Sequence, residues 1–416
     1  MSDAVRTAET GGAANGVGTM SFARGSNSSG VRLYNERLVL SLIRRSTGLA
    51  KAEIARRTGL TAPAVMKIIR QLEADGLVRR EAPQRGRVGQ PSVPFTLNPD
   101  GAFSLGLKIG RRSAELVLLD LAGNTRTVIE RTYAYPEVAA VGRFVRYGID
   151  EVTRGLTADQ RARICGLGVG LPFELWNWRD EIAAPDGVLE AWRDVDVAAE
   201  IGAHFNGPVH VSNDATAACA AELAFGGNRD YLDYFYLFIA WFAGGGVVLN
   251  GALFPGRTGN AGAAGSMPVV GGRGRPQQLI RAASLYPLER RFVEAGRDPT
   301  AFWDDGHDWR TLGLQLDDWL ATAAAALARA AAAAAAVIDF QAVVIDGAMP
   351  PDIRARLVAE TSAAYADLDR QGLSPLEIAE GSIGRRARAI GAASLPLIAN
   401  FELDQNLLFK HQPANA

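Results

Sequence analysis

The sequence predicts an α/β protein that carries a small helical module at its front end. Three observations predict it. Apolar residues recur at helical spacing in three short runs between residues 34 and 72. From about residue 99 strand-like apolar runs alternate with helical ones. Charge divides along the same line: Val31–Phe95 holds thirteen Lys/Arg against five Asp/Glu, a net of +8. Residues 1–30 balance and the whole chain is −1, so residues 96–416 carry −9.

In the front module, Leu38, Leu42 and Ile43 predict a first helix over about Tyr34–Arg45. A second runs over about Ala50–Thr58, with Ile54 and Ala55 inward and Gly59 as its stop. Thr61 is placed to cap a third helix, and Pro63 falls in its first turn, where a missing N–H costs little. Val65, Ile68, Ile69 and Leu72 share one buried stripe, so Pro63, Lys67 and Arg70 point away from it, with Met66 and Gln71 at its margins. Gly76 closes this helix. Leu77–Arg80 and Phe95–Leu97 have strand character and flank a basic loop, Gln84–Pro91. Together these form a winged helix-turn-helix.

A basic module on an acidic body is the electrostatic footprint of phosphate binding. The residues expected to meet DNA are Thr61, Ala62, Pro63, Ala64, Met66, Lys67 and Arg70 on the third helix, with Arg85 and Arg87 in the wing. Arg in such a wing suits a narrow, electronegative minor groove. Winged helices also serve as protein-interaction modules with a solvated basic face. The coincidence of Lys67 and Arg70 with the Arg85/Arg87 wing favours DNA.

Length allows two or three domains with full cores. The expected division is a disordered arm over 1–30, the winged helix-turn-helix over 31–98, the body over 99–400 and a tail over 401–416. No run resembles a signal peptide. The Ala-rich stretch Ala321–Val337, interrupted by Arg329, suits a helix packed inside the protein better than a membrane span. Cys165 and Cys219 lie in apolar segments and read as buried small hydrophobes in a reducing cytosol. His204, His210, His307 and His411 are scattered, without metal-ligand spacing to a cysteine. The expectation is a cytoplasmic protein without a structural metal.

In the body, Ser104–Ile109 with Ala114–Leu119 reads as a hairpin, joined through Leu121–Asn124 to a further strand and a helix over about Val138–Gly155. Ile164–Pro172 is a buried strand running into a loop. Val209–Ala215 ends a strand in polar residues and opens a helix to Phe225. Tyr234–Ala240 with Gly245–Leu249 is a second hairpin, and Ala342–Gly347 a strand after the Ala-rich helix. This layout is long enough for two lobes around a cleft.

In order and spacing, the helix-turn-helix, Gly89-Gln90-Pro91-Ser92 through Leu97-Asn98-Pro99, Gly106–Gly110, Gly166–Pro172, Ser212–Ala215 and Leu249-Asn250-Gly251 resemble the ROK family of repressors and sugar kinases. The similarity runs from about Val31 to Gly391-Ala392-Ala393. It implies an actin-like, hexokinase-type pair of α/β lobes, a sugar in the cleft, and a homodimer or homotetramer. It places Pro172, Asn213, Asp214, Gly262 and Ser266 at that cleft, with Asp214 where the kinases keep their base. Capping of the following helix is the plainer role for Asp214. Trp176, Trp178 and Trp192 fall near the cleft entrance, where rings can stack on sugars or simply pack.

The departures from the family pattern bear on activity. Lys108 and Gly110-Arg111-Arg112-Ser113 stand where the kinases carry an acidic residue and small phosphate-cradling residues. The second phosphate loop reads Ala240-Trp241-Phe242-Ala243-Gly244, and the adenosine-side Gly-Gly reads Asp346-Gly347. In the segment that resembles the family's sugar-contacting and zinc-binding stretch, Ala263 replaces the Glu and Ser266 the His, and Met267–Leu288 has no cysteine. The sequence therefore predicts a DNA-binding regulator, a repressor of a double-stranded operator controlled by a sugar or sugar-like effector, and neither an enzyme nor dependent on a cofactor. The alternatives are an ATP-dependent sugar kinase with an added DNA-binding head, and a DNA-binding protein indifferent to ligands.

Overall fold

The computed structural model describes residues 28–46, 48–83, 93–179, 184–271, 274–302 and 308–403. The head consists of α1 (Ser28–Arg44), α2 (Lys51–Thr58), α3 (Ala62–Ala74) and a ribbon of β1 (Val78–Arg80) and β2 (Phe95–Leu97). Helix α1 begins at Ser28, so the last residues assigned to a disordered arm are helical. The rest of that arm lies outside the described residues. Gly59 ends α2 at φ 70°, a left-handed conformation open to glycine, and its N–H donates to the Ala55 carbonyl.

Val65, Ile68, Ile69 and Leu72 of α3 are all buried, together with Val39, Leu40, Ile43, Ile54, Val78 and Phe95. The helical spacing thus turns directly into one small core. Strands β1 and β2 pair antiparallel with Val78 opposite Leu97, and Leu49 bridges Phe95. The expected wing tip, including Arg85 and Arg87, lies outside the described residues.

The body repeats one topology. The first lobe contains β3 (Phe103–Ile109), β4 (Ser113–Asp120), β5 (Thr125–Thr132), α4 (Val138–Thr153), β6 (Ile164–Leu171), β7 (Val209–Asn213) and α5 (Asp214–Phe225). The second contains β8 (Tyr234–Ile239), β9 (Ala243–Leu249), β10 (Ala252–Leu253), a small ribbon of β11 (Pro268–Val270) and β12 (Pro276–Gln278), and α6 (Tyr286–Glu294). After these come α7 (Leu314–Val337), β13 (Ala342–Gly347), α8 (Pro351–Ala366) and β14 (Glu377–Glu380). Sheet order is β5-β4-β3-β6-β7 in one lobe and β10-β9-β8-β13-β14 in the other. In each, a three-stranded antiparallel meander continues into two parallel strands, which need helical crossovers.

Helix α7 is the Ala-rich segment. It is long and apolar enough to cross a membrane by length and composition alone. Leu316, Trp319, Leu320, Ala323, Leu327 and Ala331 are instead buried in the core of the second lobe, while Leu314, Asp318, Thr322, Arg329 and Val337 are exposed.

The last helix, α9 (Ala387–Phe401), returns to the first lobe and packs on β3, β6 and α5. Two glycines permit its close approach. A Cβ on Gly168 would lie 1.8 Å from the Ala392 carbonyl oxygen, and one on Gly391 would lie 1.7 Å from that of Ala217. The far end of α9 reaches the head: Phe401 packs on the head core, and Glu402 accepts hydrogen bonds from α1. Gly391→Ala is expected to destabilise the protein by about 1–3 kcal/mol or more, because backbone must move to admit the methyl. A wild-type midpoint in urea unfolding would show that this packing is looser than described.

Candidate functional site

The first candidate surface lies on α3. The Thr61 hydroxyl accepts from the Ala64 N–H at 3.4 Å, and Pro63 sits in the first turn, so the helix starts where the sequence placed it. Pro63, Met66, Lys67, Arg70 and Gln71 together line a shallow hollow on the outer face. Thr61 and Ala62 are exposed beside it, and Ala64 is half-buried.

Charge on the head is unevenly cancelled. Arg56 and Arg57 both bind Glu53, whose carboxyl they hold down at about 2. Arg80 pairs with Glu73 at 2.5 Å and Arg79 with Glu81 at 3.1 Å. Lys67 and Arg70 have no ion pair among the described residues, so open positive charge stands on the outer face of α3. That is where phosphate would be met.

The second candidate site is a cavity of about 250 Å³ between the lobes, toward the small end of ligand pockets. Pro172, Asn213, Asp214, Gly262 and Ser266 all line it, so the structure brings the five expected ligand residues together. They come from the loop after β6, the β7–α5 junction and the segment between β10 and β11. The Asn213 side chain caps α5, accepting from the N–H groups of Ala215 (3.0 Å) and Thr216 (3.3 Å). The cap is therefore Asn213, not Asp214, because the helix already begins at Asp214. Asp214 forms an ion pair with Arg388 of α9 at 3.2 Å.

The phosphate side of the cleft is filled. Lys108 and Glu115 form a buried pair at 2.9 Å, and the Lys108 ammonium also donates to Ser113 at 2.7 Å. Burial alone would raise the Glu115 carboxyl, but Lys108 outweighs it and holds the group below its ordinary value. Across the cleft the Arg111 guanidinium lies 3.8 Å from the ring centroid of Phe242 and 4.8 Å from that of Trp178. These two rings are 4.1 Å apart, and Trp241 and Tyr286 extend the stack. Asp346 is fully buried and occupied by the Tyr236 hydroxyl, Arg354 and the Gly384 N–H. Side chains with internal partners thus occupy all three elements that a nucleotide would use.

Two family models match the chain: the ROK family over residues 104–281 and the MarR family over residues 34–87. The chain carries a ROK family domain and a MarR-type winged helix. It is 28% identical over 374 residues to the uncharacterized protein y4fQ of Sinorhizobium fredii, covering 88% of this chain and 91% of that one. It is 24% identical over 241 residues to the xylose repressor of Bacillus subtilis, covering 58% of this chain and 61% of the repressor. A solved ROK family transcriptional regulator, described as a homolog of the Escherichia coli MLC protein, superposes with a TM-score of 0.60 at 19% identity. That match covers 90% of this chain and 98% of the other. At that identity the superposition speaks for the fold alone.

Of the three tryptophans expected at the entrance of the ROK cleft, only Trp178 lines it. Trp192 is buried and donates to the Pro136 carbonyl at 2.8 Å, and Trp176 packs on the first-lobe core with Arg193 over its ring. Sequence reasoning missed Arg388 and Glu174 as cleft residues. Arg388 arrives from a helix 174 residues away from Asp214, so no local spacing announces it. Among the described residues no group of three His, Cys, Asp or Glu is placed to hold a metal.

Removing one member of the Lys108–Glu115 pair strands a buried charge. Lys108→Met is expected to cost about 3–5 kcal/mol, and Lys108→Met with Glu115→Leu to recover most of it. Equal loss in single and double variants, measured by urea unfolding, would contradict a paired, filled site.

Proposed function

We propose that this protein is a DNA-binding transcription regulator, a cytoplasmic repressor whose ROK domain senses a sugar or sugar-like effector without phosphorylating it. The observation that carries the reading is the uncancelled charge of Lys67 and Arg70 on the outer face of α3, joined to a cleft whose nucleotide side is occupied by protein. Likeness to a xylose repressor supports both the output and the class of effector. In this reading α3 enters the major groove through Thr61, Ala62, Pro63, Ala64, Met66, Lys67 and Arg70, and a wing carrying Arg85 and Arg87 reaches the adjacent minor groove. Residues 31–98 form the DNA-binding unit and 99–400 the sensing and oligomerising one. A homodimer or homotetramer would present two heads to a palindromic operator.

Helix α9 supplies a route between the two sites. Near its start Arg388 holds Asp214 in the cleft. At its end the Glu402 carbonyl accepts from Arg37 at 3.1 Å, while its carboxylate accepts from Ser41 at 3.0 Å and pairs with Arg44. A ligand hydroxyl competing for Asp214 shifts the balance at one end of a helix that grips the head at the other. Binding of effector and of DNA then influence each other by the same factor.

Lys67→Ala with Arg70→Ala should weaken binding to a genomic target fragment by about 1–3 kcal/mol per residue and flatten the salt slope by about 0.9 per lost phosphate contact. Gel shift at several salt concentrations checks this, and unchanged affinity with a native unfolding curve would reject the assigned face. Calorimetry with Mg-ATP should give no binding heat with or without hexoses. Sugar-dependent ADP release would turn the reading toward a kinase.

A further inference from the structure

The ROK resemblance leaves the cleft without the Glu that Ala263 replaces, and Asp214 is already matched by a guanidinium. Another carboxylate lies in the same cavity. We propose that Glu174 is the residue that recognises ligand hydroxyls here. This rests on the cleft being a small-molecule site, as proposed above.

Four observations support it. Glu174 lines the cavity and is exposed within it, on the loop that follows β6. This is the carboxyl end of a parallel strand, where α/β folds gather their ligand contacts. Its backbone stands at φ 47° and ψ 51°, a left-handed conformation that among the described residues only one other non-glycine, Asn250, adopts. Such conformations persist where the surroundings impose them, often beside a ligand. Here the buried Leu175 anchors the turn, and the Asn177 N–H donates to the Glu174 carbonyl at 2.9 Å.

The side chain is held as well. The Asn177 amide donates to Glu174 Oε2 at 2.7 Å, which orients the carboxylate and leaves Oε1 available as an acceptor. Arg388 is matched by Asp214 and Arg111 lies over the Phe242 and Trp178 rings, so the lining carries two cations and two carboxylates, of which Glu174 has no ion pair among the described residues. An O–H or ammonium donor satisfies such a carboxylate. Phe173, half-exposed beside it, and Trp178 offer apolar faces for a sugar ring.

The test is calorimetry on the full chain with D-xylose, D-glucose, D-glucosamine, D-gluconate and glucose 6-phosphate. At least one neutral or amino sugar should bind the wild type. Glu174→Gln, which keeps the shape and removes the charge, should weaken that sugar at least tenfold without moving the melting temperature of the free protein. Asn177→Ala, which only frees the carboxylate, should weaken it severalfold. Unchanged affinity in Glu174→Gln, or binding confined to the two anions, overturns the assignment of Glu174 while leaving the cleft a ligand site. A wild type that binds none of the five overturns the sensing role itself, and Glu174 with it.

Discussion

The close packing of α9 against β3, β6 and α5 is the constraint on which the rest of the structure depends. Backbone meets backbone at Gly168 and Gly391, so the helix has no room to slide independently of the first lobe. Interiors packed this tightly transmit displacement instead of absorbing it. Because α9 starts at the cleft with Arg388 and ends at the head with Phe401 and Glu402, this one packing decision joins the sensing site to the DNA-binding module. The clamp on α1 is polar and only partly buried, which suits a joint that must shift without unfolding either part.

The cleft holds its charged side chains in internal partnerships. At the elements that the resemblance assigns to nucleotide, groups satisfy one another: Lys108 with Glu115 and Ser113, Arg111 with Phe242 and Trp178, Asp346 with Arg354, Tyr236 and the Gly384 amide. Buried charges demand such partners, since an unpaired one costs several kcal/mol. The sugar side has kept an open cavity with Asn213, Asp214, Gly262 and Ser266 on its walls.

Much of this was legible in the sequence, for local reasons. The stripe Val65, Ile68, Ile69, Leu72 and the cap at Thr61 are spacing and hydrogen-bonding signals confined to one helix, and both recur in the structure. The three altered nucleotide elements were readable because they are short contiguous segments. The start of α1 at Ser28 was not, since its first turn is polar and glycine-containing and carries no apolar periodicity. Arg388 and Glu174 were missed because a cleft partner is set by tertiary folding, and the Asn213 cap because Asn and Asp are equally good caps side by side. Trp192 looked like a cleft residue in sequence, yet its indole is spent on the Pro136 carbonyl.

In the proposed function, cleft and head are coupled through α9. The direct measurement is the affinity of the full chain for its genomic target fragment at fixed salt, with and without a saturating cleft sugar, in the wild type and in Glu402→Gln. With the two sites coupled, sugar changes wild-type affinity severalfold or more, and Glu402→Gln binds both DNA and sugar but loses most of that change. An undiminished sugar response in Glu402→Gln would contradict it.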